Sequence, residues 1–113
     1  MKINILGTEY DHEHSTVVMD GRLRDCDGYT DTFAKTIVLD RDMIDSNDIK
    51  TTSNPKAYTR KVLRHETIHA FFSESGLRDY SDDEVLVDWI AVQAPKMFKL
   101  WKEIGALDDG DTD

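Results

Sequence analysis

The apolar residues of this chain change period along its length, and the change divides it into two halves. Lys2 to Leu6 alternates polar and apolar residues as a half-buried strand does, and Gly7 closes it. Thr16 to Met19 (TVVM) has the composition of a second strand, with Asp20-Gly21 behind it as a turn signal. Cys26 to Leu39 reads as a hairpin. Tyr29 and Thr30 lie on one arm, a turn falls near Asp31 to Ala34, and Lys35-Thr-Ile-Val-Leu39 forms the other arm. Arg41 to Ser53 is polar and has no clear period, which predicts a loop with room for a helical turn.

Helical spacing follows. Ser53 or Asn54 can cap a helix that opens on Pro55, whose missing N–H is no loss at a first helical position. The helix is expected to run to about Ser75 and to end at Gly76, a residue suited to a left-handed terminator. A second helix is expected from a Ser81 cap, interrupted near Ala94 by Pro95, and continuing through Trp101 to Ile104. Trp89, Phe98 and Trp101 fit packing between helices. Strands followed by helices give an α+β fold, read as a single domain over residues 1–106 with an acidic, disordered tail over 107–113.

Composition narrows the function classes. A chain of 113 residues can bury a core of its own, and 39% hydrophobic with 33% charged residues suits a soluble domain. A net charge of −9 argues against nucleic acid as a partner, because phosphate binding needs lysine and arginine. No run approaches the roughly 20 apolar residues of a membrane span, and the N-terminal apolar run is too short for a secretory signal. With Cys26 the only cysteine, no intrachain disulfide can form, and a cytoplasmic location is the expectation.

The candidate chemistry lies at residues 65–69, His-Glu-Thr-Ile-His. Residues four apart share a helix face, so His65 and His69 can aim imidazole nitrogens at one ion, at the ~2.0–2.1 Å of zinc–nitrogen bonds. Glu66 is adjacent and can reach a water on that ion as a general base. On a helical wheel Tyr58, Val62, His65, Glu66 and His69 fall on one side, while Arg60, Arg64, Thr67 and Glu74 fall toward solvent. Two histidines and a carboxylate on an inward face are costly without a partner, and a metal ion supplies one. The competing reading is a pair of ordinary, hydrogen-bonded helix histidines.

A catalytic zinc needs a third protein ligand. Glu84 and Asp88 are again four apart, and Asp88 is the only charge between Val85 and Ala94, which predicts a buried carboxylate in need of a partner. Glu84 is assigned as third ligand. Asp88 is assigned as the carboxylate that accepts the other N–H of a metal-bound histidine and fixes its tautomer. A capping box from Ser81 to Glu84 would instead engage Glu84 with the backbone and leave Asp83 or Asp88 as the ligand.

These segments, His65-Glu-Thr-Ile-His69 and Glu84-Val-Leu-Val-Asp88, resemble those of the gluzincins, in which HExxH is followed by a glutamate in an ExxxD pattern on the next helix. Over residues 28–94 the chain is similar to small phage- and prophage-encoded metallopeptidase-like proteins with a closing helix of the type Glu-x-x-x-Asp-Trp-Ile-Ala, here Glu84 to Ala91. The resemblance implies a minimal zincin-like fold, a small twisted sheet packed on an active-site helix and a supporting helix. It also implies Zn2+-dependent hydrolysis of a polypeptide substrate, in the host cytoplasm for a phage product. The chain departs from the pattern in having no downstream His or Tyr motif for the oxyanion and no second subdomain. The rival reading is a non-catalytic, zinc-stabilised protein that acts by binding a host or phage protein.

Other residues have weaker claims. His12 and His14 would share one side of a strand, and one of them could serve as a ligand or oxyanion donor. The Cys26 thiolate could occupy an open metal position, although a small residue beside a turn is the plainer reading. Tyr29, Tyr58 and Tyr80 are candidates for a phenol at the oxyanion.

Overall fold

The fold was obtained as a computed structural model that describes residues 1–45 and 52–107. Four strands, β1 (Lys2–Ile5), β2 (Thr8–Ser15), β3 (Gly28–Asp31) and β4 (Thr36–Asp40), form one sheet in the order β1-β2-β4-β3. The helices are α1 (Asp42–Asp45), α2 (Pro55–Glu74), α3 (Arg78–Ser81) and α4 (Glu84–Glu103). This is an α+β fold, with α2 lying between the sheet and α4. The expected tail falls almost wholly outside the described residues.

Leu6 and Gly7 both take positive φ, 50° and 94°, and turn β1 straight back into β2 as an antiparallel hairpin. β2 is the strand that hydrophobicity alone misses. Its sequence, Thr-Glu-Tyr-Asp-His-Glu-His-Ser, holds a single apolar residue, Tyr10, yet it pairs β1 on one side and β4, in parallel, on the other. The expected strand at Thr16 to Met19 is a turn, closed by Asp20 N–H to Thr16 O at 2.7 Å, with Val18 and Met19 exposed. Those apolar residues lie beyond the end of the ladder and have no sheet face to pack on. A short 3-10 turn at Gly21–Asp25 follows and buries Leu23.

The β3–β4 hairpin lies where its sequence pattern indicates. Asp31 Oδ1 accepts from the N–H groups of Phe33 and Ala34 and stabilises the turn, and Lys35 completes it at φ 58°. Gly28 is needed for close packing. A Cβ there would lie 2.7 Å from Leu39 Cδ2 and 3.3 Å from Val62 Cγ1, so glycine lets α2 settle against β3.

α2 opens on Asn54, whose side chain accepts from Ala57 N–H. It ends in a Schellman arrangement, with Leu77 N–H to Phe72 O, Gly76 N–H to Ser73 O, and Gly76 at φ 75°. Ala70 packs with Ile5, Tyr10 and Ile37 of the sheet, and Ile68 packs with Val87 and Ala91 of α4. Full burial of a side chain the size of Ile37 or Val87 contributes roughly 1.5–3 kcal/mol. The face expected to meet solvent is corrected at two positions. Glu74 reaches back to the sheet, where Thr8, Tyr10 and Lys35 all donate to it, and Arg64 turns toward α4.

Arg64 also explains why Pro95 does not break α4. Proline has no N–H to give the carbonyl four residues back, Ala91 O, and Arg64 Nε donates to that carbonyl at 2.6 Å instead. The expected interruption near Ala94 is absent because another helix supplies the lost donor. The expected packing of Trp89, Phe98 and Trp101 is also corrected, since these residues are 54%, 60% and 40% exposed. No helix among the described residues is long and apolar enough to cross a membrane.

Candidate metal centre

α2 and α4 cross where each carries its polar residues, beside the edge strand β3. The result is an open cleft of about 580 Å³, lined by residues of β3, α2, α4 and the turns before them. His65, His69 and Glu84 meet in it and form a cluster close enough together to bind a metal ion. The two Nε2 atoms are 3.2 Å apart, His65 Nε2 is 3.0 Å from Glu84 Oε2, and His69 Nε2 is 3.0 Å from Glu84 Oε1. Ligand atoms about 2.05 Å from a tetrahedral zinc lie about 3.3 Å from one another, so these spacings suit one shared ion.

The hydrogen bonds around the cluster determine what its atoms offer. His65 Nδ1 is 3.2 Å from Asp88 Oδ1, and Lys61 Nζ donates to the same oxygen at 2.9 Å. The Lys61 ammonium holds the Asp88 carboxyl below its ordinary range, so Asp88 is an acceptor and His65 Nδ1 the donor. Ser81 Oγ donates to the His69 backbone carbonyl at 3.4 Å and, at 3.0 Å, accepts from His69 Nδ1. These contacts suit a proton on Nδ1 of both histidines, the tautomer that leaves both Nε2 atoms with lone pairs. In that tautomer the lone pairs face each other and the Glu84 carboxylate. Such a set of acceptors can hold a metal ion.

Glu84 faces the two histidines, while the cap of α4 is Asp83, whose Oδ1 accepts from Leu86 N–H; the capping-box alternative does not form. Asp88 contacts His65, but it is 45% exposed at the cleft rim and not buried, because the apolar run around it is itself largely open on its outer side. Glu66 is 7% exposed and lies against β3, where its Oε1 and its own backbone carbonyl share the Thr30 hydroxyl at 2.9 and 2.8 Å. Burial pushes its carboxyl above the ordinary range, and the Thr30 hydroxyl and the two imidazoles offset part of that rise.

Three contributors escaped the sequence reading. Lys61 stands one turn before His65, and extending the i, i+4 rule backward would have found it. Ser81 has the sequence position of a helix cap, which gives no sign of its bond to His69. Thr30 carries no sequence signal at all, since β3 and α2 meet only in the folded chain.

The remaining candidates divide. His12 and His14 lie side by side on β2 with tilted rings whose centroids are 5.1 Å apart, and neither lines the cleft. Cys26 lines it, with its thiol donating to Arg22 O and raised in pKa by burial. Tyr29 and Tyr58 line it too, but their hydroxyls donate to Asp20 and Asp27, and each phenol is pushed up to about 12. For Tyr29 the main cause is burial, and for Tyr58 the bond to Asp27. Tyr80 is exposed and packs on Phe72. No protein-family model matches the chain, and no curated protein or solved structure matches it.

Proposed function

We propose that this protein is a zinc-dependent metallopeptidase with a zincin-like architecture, binding Zn2+ through His65, His69 and Glu84 and using Glu66 as general base. The observation that carries the metal is the convergence of His65 Nε2, His69 Nε2 and the Glu84 carboxylate at 3.0–3.2 Å, with each Nδ1 engaged by a separate partner. Two imidazoles and one carboxylate form a donor set that zinc takes in hydrolytic sites, with a position left for water. When bound, zinc supplies an electrophile for the scissile carbonyl and makes a neighbouring water acidic.

The chain's own residues do the rest. Asp88 and Ser81 hold the two imidazoles in the metal-binding tautomer. Glu66, whose pKa is raised by burial, is suited to take a proton from water and return it to the leaving amine. β3 is an edge strand whose Gly28, Tyr29 and Thr30 line the cleft, which suits pairing with an extended polypeptide. A base beside the metal face favours catalysis over a purely rigidifying zinc.

Glu66→Gln is the test. It is expected to retain the fold and one zinc per chain while losing activity by at least the ~10²–10⁴-fold of general acid–base catalysis. A peptide-library digest with wild type and variant in parallel supplies the substrate. Cleavage by wild type alone supports the peptidase. If both proteins are inert on every peptide yet capture the same protein partner equally, the activity is binding and not hydrolysis.

A further inference from the structure

The cleft that holds the metal cluster is unevenly charged. Five carboxylates line it, Asp27, Glu66, Asp82, Glu84 and Asp88, against one lysine, Lys61. Most of these groups are already engaged. Glu84 faces the two histidines, Glu66 is buried against Thr30, and Lys61 pairs with Asp88 at 2.9 Å. Two carboxylates are left over. Asp82 is exposed and forms no ion pair or side-chain hydrogen bond among the described residues. Asp27 accepts from the Tyr58 hydroxyl and has no cation beside it among the described residues.

These two aspartates lie on opposite sides of the metal cluster. Asp27 meets Tyr58 near the start of α2, about two turns before His65. Asp82 follows Ser81, whose Oγ contacts His69. From Tyr58 to His69 the helix rises about 16 Å, a length that an extended peptide covers in about five residues. The edge strand β3 borders the cleft along this line and suits an extended chain independently of any charge.

We propose that the cleft selects polypeptides carrying lysine or arginine on both sides of the bond it acts on, with Asp82 and Asp27 as the selecting residues. The cut rests on the peptidase reading above, whereas the charge preference needs only that a polypeptide lies in the cleft. A zinc ion with two neutral imidazoles and one carboxylate carries a single positive charge, which Glu66 as a carboxylate offsets. The Lys61–Asp88 pair adds nothing. The centre of the cleft is thus close to neutral, and an occupant's charges meet the two aspartates on either side. A glutamate there sets like charge on like, and a lysine or arginine reaches a carboxylate that has no cation of its own. Exposed pairs of this kind contribute at most about fivefold each. Exchanging lysine for glutamate on both sides is therefore expected to change affinity on the order of tenfold.

Two measurements test this. In the first, fluorescence anisotropy follows labelled decapeptides, alternating alanine–lysine or alanine–glutamate, binding to zinc-loaded Glu66→Gln. The lysine peptide is expected to bind on the order of tenfold more tightly at low salt, and the ratio is expected to shrink at about 0.5 M salt. Adding Asp82→Lys is expected to lower the ratio by about fivefold, and Asp27→Asn by a smaller factor. Glu13→Lys makes the same change of charge on β2, away from the cleft, and is expected to leave the ratio near that of its parent. In the second, wild type digests a randomised decapeptide library, and lysine and arginine are expected to be enriched on both sides of the cut. Equal binding of the two peptides overturns the proposal, as does a fall in the ratio as large with Glu13→Lys as with Asp82→Lys. Cuts without basic neighbours overturn it too. A lysine preference that depends on Asp82, in a protein that cuts nothing, supports the charge selection and overturns hydrolysis alone.

Discussion

The same helix, α2, carries two clusters of charged and polar residues, and they are built on opposite principles. At its C-terminal end Glu74 receives three protein donors, with the Thr8 hydroxyl at 2.8 Å, the Tyr10 hydroxyl at 2.6 Å and the Lys35 ammonium at 2.9 Å. Every lone pair that matters has a hydrogen to meet, and the result is a tie between helix and sheet. About two turns earlier His65 and His69 meet Glu84, and with protons on Nδ1 each atom brings a lone pair. Both arrangements gather polar residues at a partly buried place. The difference lies in donor count: the first is satisfied by the protein itself, and the second, on the proposed reading, by a cation from outside. A cluster of titratable side chains is thus evidence for a ligand when its donors and acceptors fail to match, and evidence for structure when they do.

The largest expected effect follows from supplying that cation. Zinc at 1,000 times its dissociation constant stabilises the folded state by about 4 kcal/mol, and for a domain of this size the melting temperature rises by about 4 °C or more per kcal/mol. Differential scanning fluorimetry is expected to show a rise of ten degrees or more in wild type and none in His65→Ala or His69→Ala. Elemental analysis should find one zinc per chain, and a wild-type protein without it would erase the contrast between the two clusters.

A smaller effect is expected one bond further out. Asp88→Asn keeps an oxygen near His65 Nδ1 but removes the charge that holds the tautomer, so zinc affinity is expected to fall by roughly 10–100-fold in competition titrations. An unchanged affinity would mean that Lys61, not His65, is the residue Asp88 serves.

The two glutamates provide a direct exchange experiment. Without metal, Glu74→Ala is expected to lower the melting temperature, because Tyr10 is fully buried and its hydroxyl loses its acceptor. Glu84→Ala is expected to leave the metal-free melting temperature unchanged or raise it, because it removes a carboxylate that faces two lone pairs. With zinc present the order reverses, since only Glu84→Ala abolishes the zinc-dependent rise.

The last expectation is in pH. The donors on Glu74, Lys35 first, hold its carboxyl at about 2, well below the ordinary 4.5. A depressed folded-state pKa contributes stability above 4.5 and loses it as pH falls toward 2. Metal-free wild type is therefore expected to lose stability through that window more steeply than Glu74→Gln in urea titrations at successive pH values. Parallel curves would show that the network contributes nothing through its charge.

What the sequence determined by itself was local. The i, i+4 spacing of His65 and His69, the Asn54-Pro55 opening of α2, Gly76 at its end and the Asp31 turn are consequences of helix geometry and backbone preference, and each acts within a few residues. Chemistry at that range was legible without the fold. Tertiary structure decided what depends on distant partners. β2 is a strand because β1 and β4 supply its hydrogen bonds, in spite of a nearly apolar-free sequence. Pro95 stays inside α4 because Arg64, on another helix, takes the carbonyl that proline leaves free. The choice of Glu84 over its neighbours, the seating of Glu66 against Thr30 and the exposure of Trp89 and Phe98 rest on how α2, α4 and β3 cross. Periodicity tells which residues share a face, but only packing tells what that face meets.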